Sequence, residues 1–424
     1  MKGTYRLLAI WLAAFAGIPA TTTAQKRFAD YEKERYGYFL TDNKKVLRIP
    51  FEVHSNLIVV PVRINDSDTL RFILDTGVST TIITDPAALI PNSLRFTRKV
   101  SISGAGEGEA VEAYIAIGNT IDMCGMKANH QNIVVLEEDV LQLSEFVGLP
   151  VHGIFGYEIF NNFVVTIDFQ HRELTLREPG TYRFRRRHGD IYAITIEDTK
   201  PFTEAVTLLA DGREQPVKLA IDTGAAHALL LDRSNDSRIQ LPEKVIHTQL
   251  GRGLNGVING NLGRIEMIRV GRHEIGNVVA SFPDSTSFGV KVPKGDERQG
   301  NIGCEILRRF KITMNYHDQY MVLKPVRRKL REKFEHDMSG LEIKAGGLGL
   351  KDIFVTHVLD KSPGKIAGLI PGDQLVFMNN RPVREMNMSE IYKLLQKGHG
   401  KSIDLLVKRN GELFLTQITL KRMI

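Results

Sequence analysis

The chain has 424 residues, 42% of them hydrophobic and 25% charged, with 56 Lys and Arg against 49 Asp and Glu for a net charge of +7. This is globular composition, long enough for two or three domains with cores of their own, and it excludes disorder on a large scale. Two cysteines, and twelve histidines without an HExxH or similar pattern, give no metal-ligand cluster, so no metal and no cofactor is expected.

Residues 1–24 read as a secretory signal: Lys2 and Arg6 precede the mostly apolar run Leu7 to Pro19, and the small residues Thr22 to Ala24 suit cleavage before Gln25. That run is short for a bilayer span and no later run approaches that length, so an exported, soluble protein without a transmembrane segment is expected, periplasmic or extracellular. Residues 25–45 are polar and aromatic and are left unassigned. From Val46 onward, short apolar alternations such as LIVVPVRI and LRFILD are broken by Gly, Asn and Asp turns, which predicts mostly strand. FVVTIDF and ELTLRE read as a hairpin, with short helices starting at Asp85 and Pro86 and covering Tyr157 to Asn162.

The region contains itself twice. RFILDTGVSTT, Arg71 to Thr81, returns as KLAIDTGAAHAL, Lys218 to Leu229, and the offset of 147 residues carries well beyond these stretches. It takes Gly104 and Gly106 onto Gly251 and Gly253, and Gly153 to Gly156 onto Gly300 to Gly303. From there GYEIFNNFVVTIDFQHRELTL runs without a gap against GCEILRRFKITMNYHDQYMVL. Each half thus keeps one aspartate, Asp75 or Asp222, followed by Thr and Gly. Two carboxyls brought face to face share a proton, since like charges a few ångström apart repel strongly; one member is then a base and the other an acid, able to activate a water between them. Gly77 and Gly224 let the backbone turn beside each carboxylate, and the hydroxyls of Thr76 and Thr223 can tie the two loops together.

On these residues the sequence resembles the aspartic proteases, nearer to the retroviral and bacterial single-chain forms than to pepsin. The resemblance implies a mainly β protein in which two homologous retropepsin-like β-barrel halves form one bilobal unit, residues 46–182 and 190–325. It makes Asp75 and Asp222 the catalytic pair of a peptide hydrolase, and the loops holding Gly104, Gly106, Gly251 and Gly253 two flaps over a peptide substrate. Three departures stand out: neither flap has a tyrosine, Asn301 stands where an apolar residue is preferred, and Ser79, whose hydroxyl can reach the first carboxylate, faces Ala226 in the second copy. The acid and base roles therefore stay open. His227 reads as a pocket residue or a loop histidine without a role. Cys124 and Cys304 are not repeat equivalents, and their spacing leaves a disulfide between them undecided.

Basic clusters, Arg183 to Arg187 and Arg327 to Lys333, follow each copy; without an aromatic platform they read as solvated linkers, the second at 326–338, and not as a nucleic-acid surface. Beyond them the pattern changes. SPGKIAGLIPGDQLVFMNN, Ser362 to Asn380, resembles the bacterial PDZ domains, which places a small β domain with helices at 339–424. Asn410 and Gly411 mark a hairpin turn, and Ile391, Leu394 and Leu395 recur at helical spacing. A PDZ domain takes the carboxyl terminus of an extended chain on backbone amides, for which Ser339, Gly340, Leu341 and Glu342 are the candidates, Gly347 to Leu350 the competitor, and Ile391 a groove residue. The expectation is an exported aspartic endopeptidase, for which a monomer is possible, whose PDZ domain binds protein C termini or regulates access. The alternative is a silent scaffold that grips peptides with both parts.

Overall fold

β-branched runs dominate the strands because their stiff side chains pack on a pleated surface; Leu57–Ile64 is buried at six of its eight positions, so it has neighbours on both faces. In a computed structural model, which describes residues 35–89, 93–209, 212–234, 236, 238–287 and 298–424, 49% of the described residues are strand and 12% helix. The expected signal segment and the first part of 25–45 lie outside the described residues.

The first half is a curled sheet in the order Gly37–Leu40, Met126–Leu136, Ile82–Ile83, Gly153–Phe155, Leu70–Leu74, Leu57–Ile64, Val111–Met123, Phe96–Ile102, closed by pairing of Met126–Leu136 with Val111–Met123. The second half repeats it from Thr195–Glu197 and Lys200–Leu208 through Glu214–Ile221, Gly300–Ile302, Leu229–Leu231, His273–Pro283 and Gly256–Val270 to Val245–Gly253. The repeat holds to the residue: Phe72 pairs in parallel with Gly153, as Leu219 does with Gly300. Tyr157–Asn162 is helical and Val164–Asp168 pairs with Glu173–Arg177, as the sequence predicts; the helix expected at Asp85 is a single 3-10 turn, Pro86–Ala88.

A six-stranded sheet joins the halves, three strands from each: Asp190–Ala193, Tyr320–Pro325, Phe310–Asn315, Val164–Asp168, Glu173–Arg177, Val46–Pro50. At its centre Thr166 faces Thr313, the residue 147 positions on, and their hydroxyls lie 2.8 Å apart. A residue paired with its own repeat equivalent marks the axis that relates the halves.

The stretch read as a solvated linker at 326–338 is packed. It carries a short helix, Arg327–Leu330, and seats Phe334 under the guanidinium of Arg309 at 3.6 Å. Arg309 is fully buried and donates to the carbonyls of Glu305, Lys329 and Glu332 and to the carboxylate of Glu305 (3.3 Å), which satisfies an otherwise costly charge. The C-terminal unit has the sheet Leu341–Gly346, Asp352–Val358, Gln374–Met378, Ser402–Arg409, Glu412–Thr419, against which the helix Met388–Leu395 packs. That helix opens with a capping box between Asn387 and Glu390. Asn410 and Gly411 take positive φ, 50° and 92°, at the expected turn. Among the described residues no helix is long and apolar enough to cross a membrane, and no group of three His, Cys, Asp or Glu could hold a metal ion.

Candidate active site

Asp75 and Asp222 follow equivalent buried strands, Leu70–Leu74 and Glu214–Ile221, and each strand end is fixed by its own glycine motif. Asp75 N–H donates to Phe155 O at 2.9 Å and Asp222 N–H to Ile302 O at 3.0 Å. A Cβ on Gly156 would stand 1.8 Å from the carbonyl oxygen of Asp75, which is why glycine is needed there. Between the loops the threonines are exchanged. Thr76 Oγ1 donates to Ile221 O (2.6 Å) and accepts from Thr223 N–H (3.0 Å), while Thr223 Oγ1 donates to Leu74 O (2.9 Å) and accepts from Thr76 N–H (3.0 Å). Both threonines are fully buried. Four hydrogen bonds away from water hold the two carboxylates to one geometry.

The carboxylates face each other across the glycines: a Cβ on Gly224 would lie 2.2 Å from Cγ of Asp75, and one on Gly77 3.6 Å from Oδ1 of Asp222. Gly77 N–H donates to Asp75 Oδ1 (2.6 Å) and Gly224 N–H to Asp222 Oδ1 (3.0 Å). Burial first, and then the charge of Asp222, push the Asp75 carboxyl up to about 7.

The symmetry breaks at Asn301. Its amide donates to Asp222 Oδ2 at 2.6 Å, and its oxygen accepts from His227 Nε2 at 2.7 Å. Burial holds the His227 imidazole below its ordinary range, in keeping with a neutral ring. So Asn301, noted in the sequence only as a departure, reaches the pair, and His227, read there as a pocket residue or a loop histidine without a role, lines the cavity and meets the pair through Asn301. Ser79 does not: it is exposed, and its hydroxyl accepts from Thr199 Oγ1 (2.7 Å). Cys304 and Cys124 are both free; Cys304 is buried and donates to Thr223 O at 3.2 Å.

Above the pair stand the two glycine loops. Asn255, at the tip of the hairpin Val245–Gly253 to Gly256–Val270, reaches across to the other: its side chain accepts from Gly104 N–H and donates to Glu109 O (2.6 Å), and its N–H donates to Ala105 O (2.9 Å). Gly106 has φ +122° and a Cβ there would lie 2.4 Å from Asn255 C; one on Gly253 would lie 2.3 Å from Ala105 O. These glycines exist because two backbones cross. Gly104 and Gly251 line the cavity below, while Leu254 packs on Gly104.

Comparison with known families decides the class. An aspartyl protease family model matches residues 60–159 and again 206–306, and a PDZ domain model matches residues 354–409. The chain carries two aspartyl protease domains and a PDZ domain. No curated protein matches it.

The PDZ domain meets the protease domains at their cleft. One cavity of about 1020 Å³ is lined by Asp75, Asp222, both flaps, the loop Gly340, Leu341, Glu342, and Tyr392. The loop's N–H groups are already taken by the chain itself: Asp337 Oδ1 accepts from Ser339 N–H (3.2 Å) and Oγ–H (2.7 Å), and Oδ2 accepts from Gly340 N–H (2.7 Å) and Leu341 N–H (3.3 Å). Glu342 is turned to the second flap, accepting from Thr248 Oγ1 (3.1 Å) and Gln249 N–H (3.3 Å). Lys344, on the same edge strand, pairs with Glu145 of the helix Leu143–Val147 at 2.8 Å. Ile391 is not a groove residue; it is fully buried in the domain core, and its neighbour Tyr392 faces the cavity instead, its hydroxyl 3.5 Å from Ile343 O. The competing loop Gly347 to Leu350 forms a separate turn with Leu348 97% exposed, outside the cavity lining.

Proposed function

We propose that this chain is an exported aspartic endopeptidase that hydrolyses peptide bonds with a water activated between Asp75 and Asp222. The observation that carries this reading is the reciprocal exchange of Thr76 and Thr223, which sets two carboxyls face to face under two joined flaps. The ionised carboxylate takes a proton from water as its oxygen attacks the carbonyl carbon, and the protonated carboxyl gives its proton to the carbonyl oxygen. The resulting diol collapses: the first carboxyl protonates the departing nitrogen, the C–N bond breaks, and a diol proton returns to the second. Atoms balance, and the pair ends as it began. A cavity of about 1020 Å³ has room for several residues of an extended chain.

Both halves of the site lie in one chain, so a monomer suffices. The PDZ domain, opening on the same cavity, takes protein carboxyl termini, either to deliver substrate or to govern access. Cleavage of unfolded casein from acidic to neutral pH tests the reading, comparing wild type with Asp75→Asn and Asp222→Asn. Each variant is expected to lose about 10²- to 10⁴-fold in activity. Full activity in either variant rules out the Asp75–Asp222 pair, and a wild type inactive at every pH leaves a peptide-binding scaffold.

A further inference from the structure

In the symmetric frame of the two halves, Asn301 occupies the place of Ile154 and His227 that of Thr80. The strand geometry is the same on both sides, since Asn301 pairs with Ala220 as Ile154 pairs with Ile73. The consequence for the carboxylates is not. Asp222 accepts on both oxygens, from Gly224 N–H and from the Asn301 amide. Asp75 accepts from Gly77 N–H and otherwise meets Asp222 itself. Donors aimed at both oxygens of one carboxylate stabilise its ionised form, and such hydrogen bonds are roughly twice as strong as neutral ones. With the NH₂ of Asn301 on Asp222, its Oδ1 is left for His227, and the tautomer protonated at Nε2 holds the amide that way round.

We propose that Asn301, oriented by His227, makes Asp222 the base of the pair and leaves the shared proton on Asp75. This rests on the protease reading for its catalytic consequence, but the placement of the proton does not. Asn301 and His227 are positioning residues. The direction in which burial and Asp222 push the Asp75 carboxyl agrees with Asp75 as the protonated member. The other charged or titratable groups that bear on the pair are Lys200, Cys304 and Tyr316, with Glu305 and its partner Arg308 acting at one remove through Cys304. All are retained in the variants below.

The test compares wild type with Asn301→Ile, which copies the residue of the first half, and with His227→Leu and His227→Gln. In the pH profile of kcat/KM, the acidic limb of Asn301→Ile is expected to move up by about one pH unit, since the ionised base has lost a donor. His227→Leu moves it in the same direction by less, and His227→Gln, which keeps an N–H for Oδ1, leaves it in place. An Asn301→Ile profile that is lower throughout with its limb unmoved overturns the proposal. A second readout needs no cleavage at all. The loss in thermal midpoint caused by Asn301→Ile is expected to be larger at about pH 6, where the pair carries one negative charge, than at about pH 2, where both carboxyls are protonated; an equal loss at both ends overturns the assignment even where no substrate is cut.

Discussion

Gly340 gives its backbone N–H to the carboxylate of Asp337, at 2.7 Å, in the loop where a PDZ domain receives a chain end. With Ser339 and Leu341 donating to the same side chain, Asp337 fills, on the proposed peptide-binding role, the place of a ligand's terminal carboxylate. A peptide must displace it, so Asp337→Ala is expected to bind a fluorescent peptide with a free carboxyl terminus at least about tenfold more tightly than wild type does. Burial raises the Asp337 carboxyl to about 6. Below that pH it is neutral and no longer repels the incoming anion, so wild-type affinity is expected to rise from pH 8 to pH 5, while a peptide carboxyl near pKa ~3.5 stays ionised. Anisotropy titrations with free and amidated peptides check both; equal affinities for wild type and Asp337→Ala would falsify the stand-in role.

The Asn255 side chain makes three of the hydrogen bonds that join the flaps. Asn255→Ala removes the bonds to Gly104 N–H and the carbonyls of Gly108 and Glu109. Three hydrogen bonds at about 1 kcal/mol each correspond to a shift of about 10²-fold toward the open flaps. Hydrogen exchange of the amides between 104 and 108 should accelerate accordingly, with the rest of the first half unchanged. Unaltered exchange there means that other contacts hold the tips.

Thr223→Val keeps the volume of the side chain but leaves the N–H of Thr76 and the carbonyl of Leu74 without partners. Burying two unpaired backbone groups costs on the order of 3 kcal/mol, and Thr223→Ser, which restores the hydroxyl, should recover most of it. Chemical denaturation reads the difference. A loss under about 1 kcal/mol for Thr223→Val would show that the exchange is not what clamps the loops.

Asp75 makes stability depend on pH with a definite sign. Its folded-state carboxyl sits near about 7 against ~3.9 in an unfolded chain, so the folded state holds a proton that unfolding releases. Stability from this group is therefore full below pH ~4 and is lost as pH rises to about 7. Asp75→Asn cannot ionise, and its thermal midpoint relative to wild type should climb between pH 4 and pH 8. Activity should fall off above about pH 7 for the same reason, as the shared proton leaves the pair.

How far the sequence reveals this molecule depends on whether a constraint acts twice. Asp75 and Asp222, with their threonines and glycines, are legible because each half needs the same turn beside the same carboxylate. Asn301 and His227 occur once, 74 positions apart, and they meet because Gly300–Ile302 pairs both in parallel with the aspartate strand and antiparallel with Leu229–Leu231. Asn255 reads as an ordinary turn residue, since nothing local tells which backbone it will meet. Ile391 misleads because helical spacing finds the buried face of a helix but does not say whether core or groove lies under it; Tyr392, one position on, is the residue at the cavity. Arg327 to Lys333 looked solvated from charge alone, while the anchoring groups, Phe334 and Arg309, stand outside the cluster.

The sheet centred on Thr166 and Thr313 has a bearing on how the chain comes into being. Val164–Asp168 is an inner strand only once Phe310–Asn315 exists, and that partner is made some 150 residues later. Until then the nascent first half carries an open edge with Val165 and Ile167 ready to pair. A ribosome pausing after residue 182, or a chain clipped there, would release a barrel whose bare edge fits a second copy of itself, so the order of synthesis makes the basic stretch between the halves a point where self-association competes with completion.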